Sequence, residues 1–376
     1  MQSSEVPAPL YVARPLLPRL EDLHELLKDI WDSKVVTNEG PYHNKLESIL
    51  SKHLEVPVAK LFNNGTIGLM AAILALELPK GSEIITTPLT FAATAHAIKL
   101  CGHTPVFADI LSDALTIDPA AVEAAITDKT SAVLAVHVYG TICETAALQD
   151  ICDKNGLALI YDAAHAFGGR IDGRSVASLG DLSVFSLHAT KLFTTLEGGI
   201  VTSNTEEMAK KLRWIRNFGI KNEHEVVDIG LNGKMNELQA AIGILNLPLV
   251  ESELQARRAL GEKYNEMISK FGGIRPKIYQ PNVVSSEQYY PIVVDAAAFG
   301  RSRDDLYDAL KIKNIFSRKY FYPTCTDFVP YKDYKIHSTS TTPVIEKRKG
   351  QLLCLPFHSG VTDCHVEVIA SVFNSR

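Results

Sequence analysis

Between residues 58 and 203, seven short apolar runs alternate with helical patterns, and this alternation restricts the possible folds more than any other feature of the chain. The predicted strands are 58–62, 83–87, 104–108, 131–136, 157–161, 182–186 and 199–203. The segments 66–78, 91–101, 119–126 and 144–154 have helical patterns. Continuous apolar strands connected by helices are typical of a parallel sheet that is covered on both faces. We therefore predict an α/β fold whose large domain has a mostly parallel seven-stranded sheet sandwiched by helices.

The last third of the chain has a different character. Helical patterns cover 206–217 and 236–245, and Pro248 interrupts a helical stretch that continues to about residue 271. After Gly272-Gly273, a strand (288–294), a helix (303–311) and a second strand (315–322) follow one another. This order predicts a smaller α+β domain. We place the large domain at 1–249 and the small C-terminal domain at 250–376.

The composition argues against several classes of protein. The net charge is -5 and both signs are interspersed, so the sequence indicates neither a nucleic-acid groove nor a polybasic membrane patch. The six cysteines include no C-x-x-C pair, which is typical of reduced thiols in a cytosolic protein. Residues 1–14 lack a signal-peptide pattern, and no apolar run is long enough to span a membrane. We expect a soluble, cytoplasmic protein.

Several familiar active-site motifs are missing from the sequence. No G-x-G-x-x-G follows the first predicted strand, and there is no P-loop lysine motif and no G-x-S-x-G elbow. The histidines have no H-E-x-x-H or similar spacing, so we do not expect a catalytic metal.

Two polar residues follow neighbouring predicted strands. Asp162 comes directly after strand 157–161, and Lys191 lies five residues beyond strand 182–186, ahead of Glu197-Gly198-Gly199. Taken singly, a loop lysine is usually a surface charge and a strand-end aspartate often caps a turn. However, ligands of open α/β sheets bind beyond the carboxyl ends of the strands. Together the pair predicts a pyridoxal phosphate (PLP) site, in which Lys191 holds the cofactor as a Schiff base and Asp162 keeps its pyridine nitrogen protonated.

Further residues can complete such a site. Asn64-Gly65-Thr66 opens a predicted helix whose first N–H groups can bind a phosphate, and Ser186 can add a hydroxyl donor. Phe91 can stack on the pyridine ring, and His165 can contact the phenolic side of the ring or orient Asp162. Each residue alone also fits an ordinary helix start, core phenylalanine or packed histidine. Their order along the chain favours the cofactor site.

Over nearly its whole length the chain resembles the DegT/StrS-type sugar aminotransferases, a branch of the aspartate aminotransferase superfamily with PLP fold type I. The matching segments are 64–66 (NGT), 81–85 (GSEII), 90–94 (TFAAT), 105–109 (PVFAD), 136–140 (VHVYG), 162–168 (DAAHAFG), 185–191 (FSLHATK), 197–199 (EGG) and 355–356 (LP). The resemblance implies PLP as the cofactor and Lys191 as its Schiff-base lysine. It also implies that Asp162 pairs with the pyridinium nitrogen. The other residues that match cofactor contacts of the family are His165 near the ring hydroxyl, Phe91 on the ring face, and Gly65, Thr66 and Ser186 at the phosphate.

The resemblance also implies a homodimer with active sites at the subunit interface. In this family an asparagine from the other subunit reaches the phosphate, and Asn232 occupies that position. The usual family sequence there is Asn-Tyr-Arg, whereas this chain has Asn232-Gly233-Lys234.

The sequence His188-Ala189-Thr190-Lys191 resembles a subgroup that makes 4-amino-4,6-dideoxyhexoses on a nucleotide carrier, similar to the enzyme that makes dTDP-viosamine. This likeness implies transamination of a nucleotide-linked 4-keto-6-deoxy sugar, such as dTDP-4-keto-6-deoxyglucose, with L-glutamate as the amino donor. The predicted substrate contacts are His188, Lys234 and Tyr322. Surface polysaccharides, such as the O-antigen of lipopolysaccharide, and antibiotic sugars both stay open as destinations of the product.

Three alternatives stay open at this point. The enzyme can instead aminate a 3-keto sugar, or the chain can be a non-catalytic PLP-binding regulator, although Lys191 weighs against the regulator. A third alternative is a cysteine desulfurase. That reaction needs a reactive cysteine on a mobile loop, and nothing around Cys325 or Cys354 argues for one.

Overall fold

The computed structural model describes residues 8–375. Its strands are β1 (Leu10–Tyr11), β2 (Val58–Phe62), β3 (Glu83–Thr86), β4 (Thr104–Ala108), β5 (Thr130–Val136), β6 (Ala158–Asp162), β7 (Arg170–Ile171), β8 (Arg174–Ser175), β9 (Leu182–Ser186), β10 (Gly199–Ser203), β11 (Ile220–Asn222), β12 (Glu225–Val226), β13 (Ile274–Arg275), β14 (Val283–Val284), β15 (Tyr290–Val294), β16 (Ile315–Phe316), β17 (Ile336–His337) and β18 (Leu352–Leu355). Its helices are α1 (Leu20–Ser33), α2 (Pro41–His53), α3 (Gly65–Ala75), α4 (Ala92–Leu100), α5 (Pro119–Ala125), α6 (Thr145–Asn155), α7 (Glu206–Arg216), α8 (Glu237–Asn246), α9 (Val250–Ile268), α10 (Ala296–Phe299), α11 (Arg303–Ile312), α12 (Val344–Arg348) and α13 (Asp363–Asn374).

The central sheet has eight strands in the order β17-β4-β3-β5-β6-β9-β10-β2. Neighbouring strands are parallel, except that β10 runs antiparallel to both β9 and β2. The predicted α/β class with a mostly parallel sheet is therefore confirmed, and all seven predicted strands are present. The additional strand, β17, is an edge strand of two residues from the C-terminal part of the chain. So short a segment has no periodic pattern that sequence analysis can detect.

Alternate side chains of the central strands face two separate apolar cores. On β6, Leu159 and Tyr161 pack in one core with residues of α2, α5, α6 and α8. Ile160 packs in the other core with residues of α3, α4 and α7. Because helices cover both faces, β6 and β9 are almost entirely buried, and polar side chains at their carboxyl ends can converge on one site.

The C-terminal part forms a third apolar core around the antiparallel sheet β13-β15-β18 and helices α9, α11 and α13. The predicted strand 315–322 was too long, because Ile315–Phe316 pairs with β1 and, beyond it, Arg318 forms only an isolated bridge with Cys354. Tyr320 and Phe321 leave the sheet and line the pocket described below. Pro248 lies in a 3-10 turn, Leu247–Leu249, between α8 and α9.

The division of the chain at residue 250 stays a prediction. Leu10, from the N-terminal end of the described chain, packs in the third core, and β17 from the C-terminal part joins the central sheet. Residues 1–7 and 376 of the predicted domain ranges lie outside the described residues. Across 8–375, the structure contains no helix with the length and apolar character that a membrane crossing requires.

Candidate active site

A cavity of about 610 Å³ lies at the carboxyl ends of the central strands. It brings together most of the residues predicted from the sequence, which come from four separate stretches of the chain. These lining residues are Gly65, Thr66, Phe91, Asp162, His165, Ser186, His188 and Lys191. Polar groups that are distant in sequence therefore share one pocket.

Asp162 is the last residue of β6 and is almost fully buried, at 5% exposure. Its Oδ2 accepts a hydrogen bond from Thr94 Oγ1 at 2.7 Å, and its Oδ1 accepts one from the Ala164 N–H at 3.1 Å. Burial raises the pKa of Asp162, whereas the two donors and the positive charge of Lys191 act to lower it. The site thus holds a carboxylate in an apolar setting with its hydrogen-bond partners already in place.

Lys191 follows β9, and its half-buried side chain lines the same cavity. Burial lowers the pKa of Lys191 to about 8, and the opposite charge of Asp162 limits the change. Its Nζ lies 5.8 Å from the centre of the Tyr289 ring. An amine with this pKa is partly neutral near pH 7, so it can act as a nucleophile or as a base.

The backbone around Lys191 is fixed by one side chain from the C-terminal part of the chain. The buried amide of Gln288 accepts from the Leu192 N–H at 2.8 Å and donates to the Thr190 carbonyl at 2.9 Å. Because Gln288 bonds on both sides of Lys191, it restricts the position from which the amine extends.

His165 lies three residues after Asp162 and is buried against aromatic rings. Its Nδ1 is 3.2 Å from the Tyr139 N–H, which donates to it, so the ring proton belongs on Nε2. Burial, and secondarily the charge of Lys191, hold the pKa of His165 well below its usual value. The ring stacks on Phe321 with centroids 5.6 Å apart and meets Tyr289 edge-on at 5.2 Å. His165 is therefore a neutral donor at fixed orientation.

The start of α3 and the end of β9 form another part of the cavity wall. Asn64 caps α3 by accepting from the Ile67 N–H at 2.8 Å. The first N–H groups of a helix have no acceptor within the helix, so those of Gly65 and Thr66 are suited to bind an anion. A Cβ on Gly65 would lie 3.1 Å from the Ser186 Cβ. Glycine therefore lets the helix start approach the Ser186 hydroxyl closely.

Phe91 is the N-cap residue of α4 and lies at the rim of the cavity. It is 61% exposed, and its ring centre is 6.3 Å from that of Phe321, tilted by 56°. An exposed aromatic ring at the rim is available to cover a planar ligand. That Phe91 stacks on a cofactor ring stays a prediction.

Three predicted residues do not line this cavity. Asn232 and Lys234 bond to each other through Asn232 Oδ1 and Lys234 Nζ at 2.9 Å. The Asn232 carbonyl also accepts from Asn63 Nδ2 at 3.2 Å, which places the loop directly behind the start of α3. Tyr322 is 51% exposed and lies over the Arg303 guanidinium at 5.0 Å.

Of the predicted substrate contacts, only His188 lies in the cavity. Its Nε2 is 3.6 Å from Glu197 Oε1, and both side chains are about half exposed. Its Nδ1 is 3.0 Å from Thr190 Oγ1.

The sequence analysis did not assign roles to several residues of the site. Tyr289 and Gln288 lie far from Lys191 along the chain, within the predicted strand 288–294, and no motif there indicates a role in the site. Tyr320 and Phe321 belong to the segment that ends at the predicted contact Tyr322, but it is these two residues that enter the cavity. Thr94 could have been identified from the sequence, because it lies in the matching segment 90–94, in the first turn of the helix that follows Phe91.

The residues present fit PLP. The cavity offers a primary amine for an aldehyde, a buried carboxylate for a pyridine nitrogen, and a helix start with a serine hydroxyl for a phosphate. The pair Lys191 and Asp162 is close enough for each charge to shift the pKa of the other. Within residues 8–375 there is no group of three or more His, Cys, Asp or Glu side chains that could hold a metal ion.

Comparisons with known proteins show the family of the chain. The model of the DegT/DnrJ/EryC1/StrS aminotransferase family matches residues 19–373. A dTDP-4-amino-4,6-dideoxy-D-glucose transaminase of Shigella dysenteriae is 43% identical over 96% of this chain and 98% of its own. A transaminase of the same name from Escherichia coli is 39% identical over 96% of both chains. The structure of DesI, determined in the presence of its TDP-sugar product, superposes with a TM-score of 0.92 at 34% identity, covering 97% of this chain and 92% of DesI.

Proposed function

The chain belongs to the DegT/DnrJ/EryC1/StrS aminotransferase family, and from this premise we propose that it aminates C-4 of dTDP-4-keto-6-deoxyglucose. L-glutamate is the amino donor, PLP is the cofactor, and dTDP-4-amino-4,6-dideoxyglucose is the product. The observation that carries the proposal is the meeting of the Lys191 amine and the buried Asp162 carboxylate in one cavity. The names of the two transaminase relatives support the choice of sugar and of carbon.

When bound through its aldehyde to an amine, PLP withdraws electrons from the carbon that bears the amino group and stores that group between the two half-reactions. The chain supplies the proton transfers. Lys191, with its pKa lowered to about 8, can accept the α-proton of glutamate and later return a proton to C-4 of the sugar. Asp162, as an anion, can hold a proton on the pyridine nitrogen opposite it.

The other residues bind and orient. The N–H groups at the start of α3, with the hydroxyls of Thr66 and Ser186, are suited to the cofactor phosphate. His165, with its proton on Nε2, can donate toward the phenolic oxygen. Phe91 can cover the exposed face of the ring, which excludes water from that side. His188, Lys234 and Tyr322 remain the predicted contacts to the nucleotide sugar.

The proposal includes a homodimer in which Asn232 reaches the phosphate site of the partner. Its support is the family resemblance, and the position of Asn232 behind its own helix start rather than in its own cavity is compatible with it. Mixed dimers of Lys191→Ala and Asn232→Ala subunits test this. If Asn232 acts across the interface, each mixed dimer has one complete site and regains activity that neither parent dimer has. Mixed dimers no more active than their parents would contradict the arrangement.

The substrate is tested with a panel of dTDP-, UDP- and GDP-linked keto sugars, each supplied with L-glutamate and PLP. We expect the highest kcat/KM with dTDP-4-keto-6-deoxyglucose and an amino group at C-4 in the NMR spectrum of the product. Amination at C-3, or higher kcat/KM with a UDP or GDP sugar, would replace the proposed substrate. Absence of turnover with every sugar, despite PLP binding, would favour a regulatory protein. The cytoplasmic location and a role in O-antigen synthesis stay predictions from the sequence.

A further inference from the structure

Two buried threonine hydroxyls, one at the cavity wall (Thr90) and one behind it (Thr94), form a short chain that ends on Asp162. Thr90 and Thr94 are 2% and 0% exposed, and their Oγ1 atoms are 2.7 Å apart. Thr94 Oγ1 is in turn 2.7 Å from Asp162 Oδ2. Thr94 lies in the first turn of α4, and Thr90 lies directly before its N-cap residue, Phe91.

The directions of these hydrogen bonds follow from the chemistry of the groups. An ionised carboxylate only accepts, so the single hydroxyl proton of Thr94 points at Asp162. Thr94 then has only lone pairs left for its neighbour, so Thr90 donates to it. Both bonds are oriented toward the carboxylate, and because both hydroxyls are buried, each bond polarises the next.

We propose that Thr94, supported by Thr90, is a positioning residue that keeps Asp162 ionised and aimed at the pyridine nitrogen of PLP. The inference rests on the proposed function and adds a residue to it. Thr94 does not line the cavity and touches no substrate, so it acts through Asp162 alone.

The need for such a residue lies in the burial of Asp162. An apolar setting favours the protonated acid, and a protonated acid cannot pair with a pyridinium. Two hydrogen bonds offset part of the cost of burying the charged carboxylate: Thr94 Oγ1 donates to Oδ2 of Asp162, and the Ala164 N–H donates to Oδ1. The Ala164 donor is backbone and survives any side-chain substitution, so Thr94 is the donor that can be tested.

The test compares two cofactors on apo-protein prepared by dialysis of the full chain. One is PLP, and the other is deazapyridoxal phosphate, in which a C–H group replaces the pyridine nitrogen. Thr94→Val keeps the shape of the side chain and removes the donor. We expect Thr94→Val to weaken PLP binding about tenfold, the effect typical of losing a hydrogen bond to a charged group. Binding of the deaza analogue should change less than about twofold, because Asp162 makes no ion pair with it.

Matched variants separate this role from general damage. Thr94→Ser restores the hydroxyl and should restore the wild-type ratio of the two affinities. Thr86→Val removes another buried hydroxyl, which bonds the Leu134 carbonyl at 2.8 Å, and should leave the ratio unchanged. If Thr94→Val does not fold, Thr94→Ala and Thr90→Val serve instead, the latter with a smaller effect in the same direction.

The outcomes are distinct. If Thr94→Val, or Thr94→Ala in its place, weakens the binding of both compounds equally or of neither, the inference is overturned and the proposed function is left intact. A wild-type protein that binds neither compound contradicts the proposed function itself.

Discussion

The floor of the cavity and its mouth are built in different ways. On the floor, Asp162 and the backbone around Lys191 are held by hydrogen bonds from Thr94, Ala164 and Gln288. Around the mouth, the predicted substrate contacts His188, Lys234 and Tyr322 are partly or largely exposed, and only His188 lines the cavity itself. Their partners are Glu197, Asn217 and Arg303, respectively. The floor is therefore organised before any ligand binds, whereas the side chains around the mouth are exposed enough to change position when a ligand binds.

This contrast has a physical basis. A buried charge must have its partners in place, because leaving it unpaired costs several kcal/mol. An exposed side chain bonds water in the free protein and loses little until a ligand arrives. Substitutions on the floor should therefore affect chemistry and cofactor binding, and substitutions at the mouth should affect affinity for the sugar nucleotide.

The largest effect is expected from Lys191→Ala. Turnover should fall by at least about 10⁴-fold, because both the nucleophile and the proton carrier are lost. Mass spectrometry after borohydride treatment should find the cofactor fixed to the wild-type chain and absent from the variant. The control is Lys154→Ala, an exposed lysine paired with Glu123, which should change neither result. Undiminished turnover of Lys191→Ala would contradict the proposal that Lys191 is the Schiff-base lysine.

Asp162→Asn tests the other half of the floor. The amide keeps the size of the side chain but removes the negative charge that we propose lies opposite the pyridine nitrogen. The half-reaction with L-glutamate should slow by about 10²–10³-fold, in the range found when one preorganised electrostatic partner is removed. Single-turnover absorbance gives this rate directly. Asp181→Asn, at the far end of the same pair of strands where Asp181 bonds the Leu159 N–H, should leave the rate near that of the wild type.

The third prediction concerns stability: burial of the Lys191 amine should destabilise the folded apo-protein. Its pKa is about 8 in the folded state against 10.5 for an ordinary lysine. Between pH 8 and pH 10.5 the unfolded chain binds more protons than the folded protein, so the free energy of unfolding rises with pH. Below pH 8 the amine is charged in both states, and the full cost of burying its charge lowers the stability of the folded protein. Apo Lys191→Met should therefore be more stable than the wild type at pH 7, by up to roughly 3 kcal/mol.

Urea titrations of both apo-proteins at several pH values check this prediction. The difference in the free energy of unfolding between Lys191→Met and the wild type should shrink as the pH rises from 8 to 10.5. Ionisation of the tyrosines affects both proteins equally and therefore does not contribute to this difference. A gap that is independent of pH would mean that Lys191 is not desolvated in the folded protein.

The extent to which the sequence predicted the site depends on distance along the chain. The strand pattern located Asp162 and Lys191 at neighbouring strand ends, and their convergence followed from the parallel sheet. Gln288 could not be predicted, because it reaches the Leu192 N–H from 96 residues away and lies in a segment with no motif. Phe321 also comes from the C-terminal part, where the predicted strand 315–322 assigned it to a sheet. The fold was therefore predictable where local patterns repeat, and the site only where its residues lie at the ends of those patterns.

The smallest effect is expected at the mouth, from Lys234→Met. Lys234 Nζ bonds Asn217 Oδ1 at 2.9 Å and lies 4.8 Å from the centre of the Phe218 ring, so the partly exposed ammonium lies beside a side-chain amide and an aromatic ring. Removal of one exposed charge should raise KM for the dTDP sugar about two- to fivefold, the range of a surface ion pair, with little change in kcat or in PLP affinity. Lys221→Met, an exposed lysine of β11 paired with Glu225, is the matched control and should leave KM unchanged. A fall in kcat at constant KM would instead make Lys234 part of the catalytic floor, and the distinction between the two regions would no longer hold.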